Sequence, residues 1–210
     1  MATHHEQLVI LDFDSTLFNV EKFLVDLPKI IEEQCEVPVE RFHATYEQVK
    51  KDSGSYNLHD HLTLLGVSIA HAEHILTPAF FSGDYAYPGL KEDIERFKKS
   101  ADLVIWTLGN PRFQNFKRSL IPFLEGIPFL IDEMTTEIFP KEITLESDHA
   151  QYNGGSYKKL VMIDDRPRNF HTNPPSYLRQ IRVKYPNGRY SYIETPAGVE
   201  EVISLNEITL

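Results

Sequence analysis

Residues 8–17 read Leu8-Val9-Ile10-Leu11-Asp12-Phe13-Asp14-Ser15-Thr16-Leu17, an apolar run that stops on two carboxylates flanking a phenylalanine. Four apolar residues in a row are what a strand covered by helices on both faces shows, whereas a half-exposed strand alternates. The pattern returns twice: residues 103–106 are apolar and meet Thr107, and residues 160–163 are apolar and meet Asp164-Asp165. Phe129-Leu130-Ile131 and the segment 180–185 add two further strand candidates. Helical patterns lie between them. Pro88-Gly89 opens an amphipathic stretch at 90–99 with Leu90, Ile94 and Phe97 on one face, and Pro111 occupies a first-turn position ahead of Phe113, Phe116 and Leu120. Strands alternating with helices predict an α/β fold built on a doubly wound parallel sheet.

The stretch 18–86 interrupts that alternation and reads as helices. Residues 21–36 carry Phe23, Leu24, Leu27, Ile30 and Ile31, with a kink or split expected at Pro28. Val37-Pro38 starts a second helix, Asn57 caps a third through Leu65, and Ser68 caps a fourth through Leu76. An insert of about 70 residues exceeds an ordinary connection and reads as structural bulk or a lid. Near the C-terminus, turn signals at Pro186-Asn187-Gly188 and Pro196 predict an edge strand at 190–193, while Gly154-Gly155 reads as a flexible loop without the context of a dinucleotide fingerprint.

Composition narrows the function classes. The 210 residues are 41% hydrophobic, enough to bury a real core, and carry 21 Lys plus Arg against 31 Asp plus Glu, a net charge of -10. That balance argues against nucleic acid or a membrane surface as partner, and an anionic substrate then needs a locally positive site. Cys35 is the single cysteine, which excludes an intramolecular disulfide; His4-His5 is too short to read as a metal tract. With no charged-then-apolar leader and no apolar run near 20 residues, the expected location is cytoplasmic.

In an open α/β sheet, ligands bind outside the carboxyl ends of the strands, so Asp12, Thr107 and Asp164-Asp165 are expected to gather there. Asp12 and Asp14 lie two apart and point the same way in an extended chain. Paired carboxylates repel unless a proton or cation intervenes, and a hard, oxygen-ligated ion such as Mg²⁺ suits them, with Asp164 as a third acidic group. A lone Asp after a strand more often caps a turn; several such positions together favour a site.

Four segments carry a family resemblance. The runs Leu-Val-Ile-Leu-Asp-Phe-Asp-Ser-Thr-Leu, Ile-Trp-Thr-Leu-Gly-Asn, Phe-Pro-Lys and Val-Met-Ile-Asp-Asp-Arg-Pro resemble, in order, the four motifs of the haloacid dehalogenase-like hydrolase superfamily, from Leu8 to about Pro167. The resemblance implies a Rossmann-like core at 1–17 and 87–210, a helical cap of the superfamily's first type at 18–86, and a Mg²⁺-dependent phosphatase acting on a small phosphorylated substrate. It makes Asp12 the nucleophile that forms an aspartyl-phosphate, and Asp14 the general acid and base whose backbone carbonyl joins the metal shell. It gives Thr107 and the following N–H groups, including that of Leu108, the phosphoryl oxygens, and Lys141 the bridge between phosphate and Asp12. Asp12, Asp14 and Asp164 become the metal ligands, with Asp165 orienting the metal's waters or Lys141.

Ser15 stands where many members have Gly, a Ser-Thr form similar to the first motif of phosphoserine phosphatases, but Ile-Asp-Asp-Arg-Pro differs from their fourth. Lys158 and Lys159 compete with Lys141, yet they sit at the start of a strand and so point to the opposite edge of the sheet. Three other functions fit parts of the pattern. A phosphosugar-mutase-type phosphotransferase keeps the same residues; a 2-haloacid dehalogenase needs no metal and gives Asp14 no role; a non-catalytic phosphate-binding or receiver module is shorter. Softer candidates are Arg166, Arg168 and Asn169 after the acidic pair, Asn110 and Arg112 after Thr107, and Phe18, Lys22, Arg41, Tyr46 and Tyr56 in the insert. His59, His61, His71 and His74 lack a cysteine partner for zinc.

Overall fold

A computed structural model describes residues 5–53, 55–132 and 139–210; His4 lies outside them. The strands in chain order are β1 (Gln7–Asp12), β2 (Asp102–Leu108), β3 (Phe129–Asp132), β4 (Thr144–Leu145), β5 (Ala150–Tyr152), β6 (Gly155–Tyr157), β7 (Lys159–Asp164), β8 (Leu178–Val183) and β9 (Glu200–Val202). A parallel sheet runs in the order β3-β2-β1-β7-β8-β9, so the first strand lies at its centre. Leu11 pairs with Ile105 on one side and Ile163 on the other.

This position explains the continuous apolar run. Leu8, Val9, Ile10 and Leu11 are all fully buried because alternate side chains feed two cores. Val9 and Leu11 face the helical layer with Ile94, Phe97 and Ile105, while Leu8 and Ile10 pack with Val104, Trp106 and Met162 under the small sheet β4-β5-β6. Each such side chain contributes about 1.5–3 kcal/mol of burial.

The helices are α1 (Val20–Cys35), α2 (Val39–Ser53), α3 (Leu58–Leu64), α4 (Ile69–Ile75), α5 (Leu90–Phe97) and α6 (Pro111–Ser119). Asn57 and Ser68 cap α3 and α4 with their side chains, as their sequence positions predict. Pro28 does not split α1: the helix runs through it, with the ring buried on the same face as Phe23, Leu27 and Ile31. Packing that buries this face outweighs the one lost backbone hydrogen bond. The chain leaves and returns to the sheet at adjacent points, where Phe18 bridges Ala86 and Phe18 stacks on Tyr85 at 5.6 Å. None of the described helices is long and apolar enough to cross a membrane.

Two expectations near the C-terminal half are corrected. Residues 190–193 form turns instead of a strand, and the sheet edge is taken by β9, parallel to β8. The cause is Arg182 on β8: fully buried, it donates to the carbonyls of Tyr190 at 2.6 Å and Ile193 at 2.7 Å and to Thr195 Oγ1 at 2.8 Å. The backbone groups a strand needs are thereby engaged by a side chain. The glycine pair at 154–155 is not a loose loop either. Asn153 and Gly154, at φ 48° and 77°, form the two-residue turn joining β5 to β6, the left-handed pair that Asn-Gly adopts at low cost.

Candidate active site

Asp12 closes β1 and Asp164 closes β7, its parallel neighbour, so the fold delivers both to one edge of the sheet. With Asp165 they form a cluster in which one carboxylate oxygen from each lies within 4.8 Å of the others. Asp164 is fully buried and held by the Arg166 N–H at 2.7 Å and Asn169 Nδ2 at 2.8 Å. Asp165 is buried as well. Asp12 is half-buried as a residue, yet its Oδ2 is sealed from solvent and has no hydrogen-bond partner. Burial, reinforced by Asp164, Asp165 and Asp14, holds the Asp12 carboxyl well above the usual range. Burial also raises Asp164, and burial followed by repulsion from Asp164 pushes Asp165 up to about 8. An orphaned buried oxygen within a set of three hard oxygen donors fits a divalent cation such as Mg²⁺.

Asp14 behaves differently. The extended chain ends at Asp12, and residues 13–18 wind into a tight turn in which Ser15 takes φ 64° and its N–H donates to the Phe18 carbonyl at 2.8 Å. The two-residue periodicity therefore does not carry past the strand, and Asp165, not the Asp14 side chain, joins Asp12 and Asp164. The Asp14 carboxylate is gripped by α6: Lys117 Nζ donates to Oδ1, and Gln114 Nε2 donates to Oδ2 at 3.0 Å and to the Leu108 carbonyl at 2.9 Å. Gln114 and Lys117 sit one turn apart on the same face of α6. Gly109 makes room for them. At φ 137° it adopts backbone that favours glycine, and a Cβ there would meet Gln114 Nε2 at 3.1 Å.

Lys117, which the sequence reading did not weigh, is the ammonium that the structure places on Asp14. Its ammonium is buried at 5% side-chain exposure, beside Asp14 and near the rings of Phe113, Phe18 and Phe13 at 4.9, 5.6 and 5.7 Å. Burial draws its pKa down, and Asp14 opposes that shift. Lys141 is exposed; what it contributes is a backbone N–H to Asp132 at 3.4 Å, two strands away from Asp12. Lys158 and Lys159 are exposed at the far edge. No sequence signal singles out Lys117, because a Lys in the polar stretch of α6 reads as solvated, and its partner lies 103 residues away.

The other candidates divide. Thr107 is buried at the end of β2, one residue beyond the Trp106 that pairs with Asp12, and Leu108 follows it, half-buried. Asn110 caps α6. Arg112 reaches Glu73 of α4 at 3.1 Å. His61 is packed inside the insert between Thr45 Oγ1 at 2.7 Å and Tyr56 at 3.0 Å, and burial pushes its pKa down to about 4, so it serves as a neutral core hydrogen-bonder. Tyr46 of α2 lies close enough to Asp14 and Arg189 for both charges to act on its hydroxyl.

No protein-family model matches the sequence, and no curated protein matches it. Solved structures do. A protein from Burkholderia xenovorans LB400 classed as a haloacid dehalogenase-like hydrolase superposes with a TM-score of 0.65 at 18% identity, over 97% of this chain and 94% of that one. Looser similarity links it to YfnB of Bacillus subtilis, classed as a hydrolase of the same group and solved bound to magnesium (TM-score 0.49, 14% identity, 98% and 97% coverage). A protein of Thermotoga maritima classed as a β-phosphoglucomutase is looser still (0.46, 14%, 96% and 95%).

Proposed function

The chain has the haloacid dehalogenase-like fold, and from that premise we propose that it is a Mg²⁺-dependent phosphomonoester hydrolase working through an aspartyl-phosphate on Asp12. The observation that carries the reading is the sealed, unpartnered Oδ2 of Asp12 inside the cluster with Asp164 and Asp165. A buried carboxylate oxygen without a hydrogen bond needs a proton or an ion to compensate it, and here the donor set suits a hard cation. Bound by Asp12, Asp164 and Asp165, with the Asp14 carbonyl as a further ligand, Mg²⁺ would disperse charge on the phosphoryl oxygens.

In this reading a carboxylate oxygen of Asp12 attacks phosphorus, the ester P–O bond breaks, and Asp14 gives its proton to the departing oxygen. Asp14 then takes a proton from the water that cleaves the aspartyl-phosphate, releasing inorganic phosphate and restoring Asp12. Thr107 and the N–H of Leu108 bind phosphoryl oxygens. Lys117 and Gln114 fix the Asp14 carboxylate, so the group that must both give and take a proton is held in one place. The helices of 18–86 act as a cap that favours small esters and excludes water once closed.

Phosphate release from p-nitrophenyl phosphate, with Mg²⁺ and with chelator, tests the reading in the native chain and in Asp12→Asn. Metal-dependent release lost in Asp12→Asn is expected. Folded, Mg²⁺-loaded protein that releases no phosphate from this or any small ester overturns it.

A further inference from the structure

Beside the fourth motif lies a cavity of about 410 Å³ lined by Arg166, Pro167, Arg168, Arg189, Tyr190 and Ile193. Three arginines lining one cavity are out of keeping with a chain of net charge -10. None of the three makes an ion pair with another described residue, unlike Arg96, Arg112 and Arg179, which each reach a carboxylate. The charge of Arg166 acts on Asp164 and Asp165 and that of Arg168 on Asp164, yet no ion pair closes on any of the three, and like charges grouped in this way favour a bound anion.

The arrangement is built. Arg166 follows the acidic pair directly, its N–H is fixed on Asp164 at 2.7 Å, and its guanidinium lies over Tyr190 at 5.2 Å. Arg189 lies on the same ring at 5.6 Å, with its N–H on Glu21 Oε1 at 3.1 Å. The buried Arg182 ties the two sides together, donating to the Asp165 carbonyl at 3.1 Å and to the Tyr190 carbonyl at 2.6 Å. The loop that carries Arg189 and Tyr190 is thereby fixed to the loop that carries Asp164 and Asp165. The charge of Arg189 also reaches Tyr46 of the insert.

We propose that the cavity of Arg166, Arg168 and Arg189 binds a second anionic group, phosphate or carboxylate, carried by the substrate at a distance from the scissile phosphoryl. This inference rests on the phosphatase reading for the position of the first phosphoryl group. Guanidinium groups match the planar, bidentate demands of an oxyanion, and the Tyr190 ring beside those of Arg166 and Arg189 restricts their rotamers in advance. The volume holds an anionic group with part of the scaffold that bears it.

Calorimetric titration tests this on Mg²⁺-loaded Asp12→Asn protein, in which binding is read without turnover. The probes are three matched pairs: glycerol 3-phosphate against 3-phosphoglycerate, fructose 6-phosphate against fructose 1,6-bisphosphate, and adenosine 5′-monophosphate against adenosine 3′,5′-bisphosphate. In at least one pair the member with the second anion binds tenfold or more tighter, about 1.4 kcal/mol, and adding Arg168→Gln with Arg189→Gln removes that preference while the singly anionic member binds as before. Inorganic phosphate as sole titrant separates a free-anion site: saturation at the arginines by phosphate, with no preference within any pair, overturns the proposal. Equal affinities within all pairs also overturn it. Selective binding by a protein whose native form hydrolyses no ester sinks the phosphatase reading and leaves the anion pocket standing.

Discussion

Lys117→Met separates catalysis from stability at one position. The ammonium is buried, and its principal partner, the Asp14 carboxylate, keeps 28% of its side-chain surface exposed. Removing one member of a fully buried ion pair costs about 3–5 kcal/mol because the other charge is stranded, while recovering a buried ion's desolvation returns several kcal/mol. Here the stranded carboxylate still has Gln114 and partial solvent, and Met is an unbranched side chain of matching length set among Phe13, Phe18 and Phe113. The two contributions nearly cancel, leaving a net change in unfolding free energy within about 1 kcal/mol. Activity responds to orientation and charge at the group that moves the proton, for which the loss is about 10²-fold in kcat. Lys141→Met, at an exposed site, is expected to alter neither quantity by more than about twofold in rate or 0.5 kcal/mol in stability. Urea titration and phosphate release from p-nitrophenyl phosphate measure both for the two variants. Release within threefold of native by Lys117→Met, or a hundredfold loss in Lys141→Met, refutes the assignment of Lys117 to Asp14.

Two further outcomes follow from the carboxylate cluster and from Arg182. Asp12, Asp164 and Asp165 titrate above 3.8 when folded, Asp165 near 8, so between about pH 4 and 8 the metal-free folded state holds more protons than the unfolded one and its stability falls as pH rises. Mg²⁺ displaces those protons, so scanning calorimetry is expected to give a Tm increase from Mg²⁺ at least about 3 °C larger at pH 8 than at pH 5.5, and an equal or smaller increase at pH 8 contradicts the cluster as the metal site. Arg182→Met leaves the carbonyls of Tyr190, Ile193 and Asp165 without their donor and is expected to lower unfolding free energy by about 3–5 kcal/mol, with proteolytic nicking at 186–195 in the surviving fold; a loss under 1 kcal/mol contradicts its tethering role.

The sheet was legible because its strands are locally marked. Residues 8–11, 103–106 and 160–163 are apolar on both faces and stop on polar residues, which states both the burial and the edge at which the site forms. Asn57 and Ser68 announced their helices by side-chain chemistry that needs only the next turn. Features set by distant contacts were not legible. Lys117 is distinguished from Lys141 only by what lies across from α6; β9 is three residues long and exists through pairing with β8; and the fate of 190–193 depends on one arginine in a neighbouring strand. That the Asp165 side chain, and not that of Asp14, clusters with Asp12 and Asp164 follows from the left-handed Ser15, which turns the chain away where strand periodicity ends.

The grip of α6 on Asp14 also has a linear footprint. Thr107 is the next-to-last residue of β2, Gly109 clears space, and Gln114 and Lys117 follow at five and eight residues beyond the glycine, so the tether is written as Thr-x-Gly-x4-Gln-x2-Lys in a window of eleven residues. A chain of this fold that carries that spacing is expected to dispense with a lysine ahead of its last motif strand, and the pattern becomes a query with which to sort such sequences by where they keep their active-site cation.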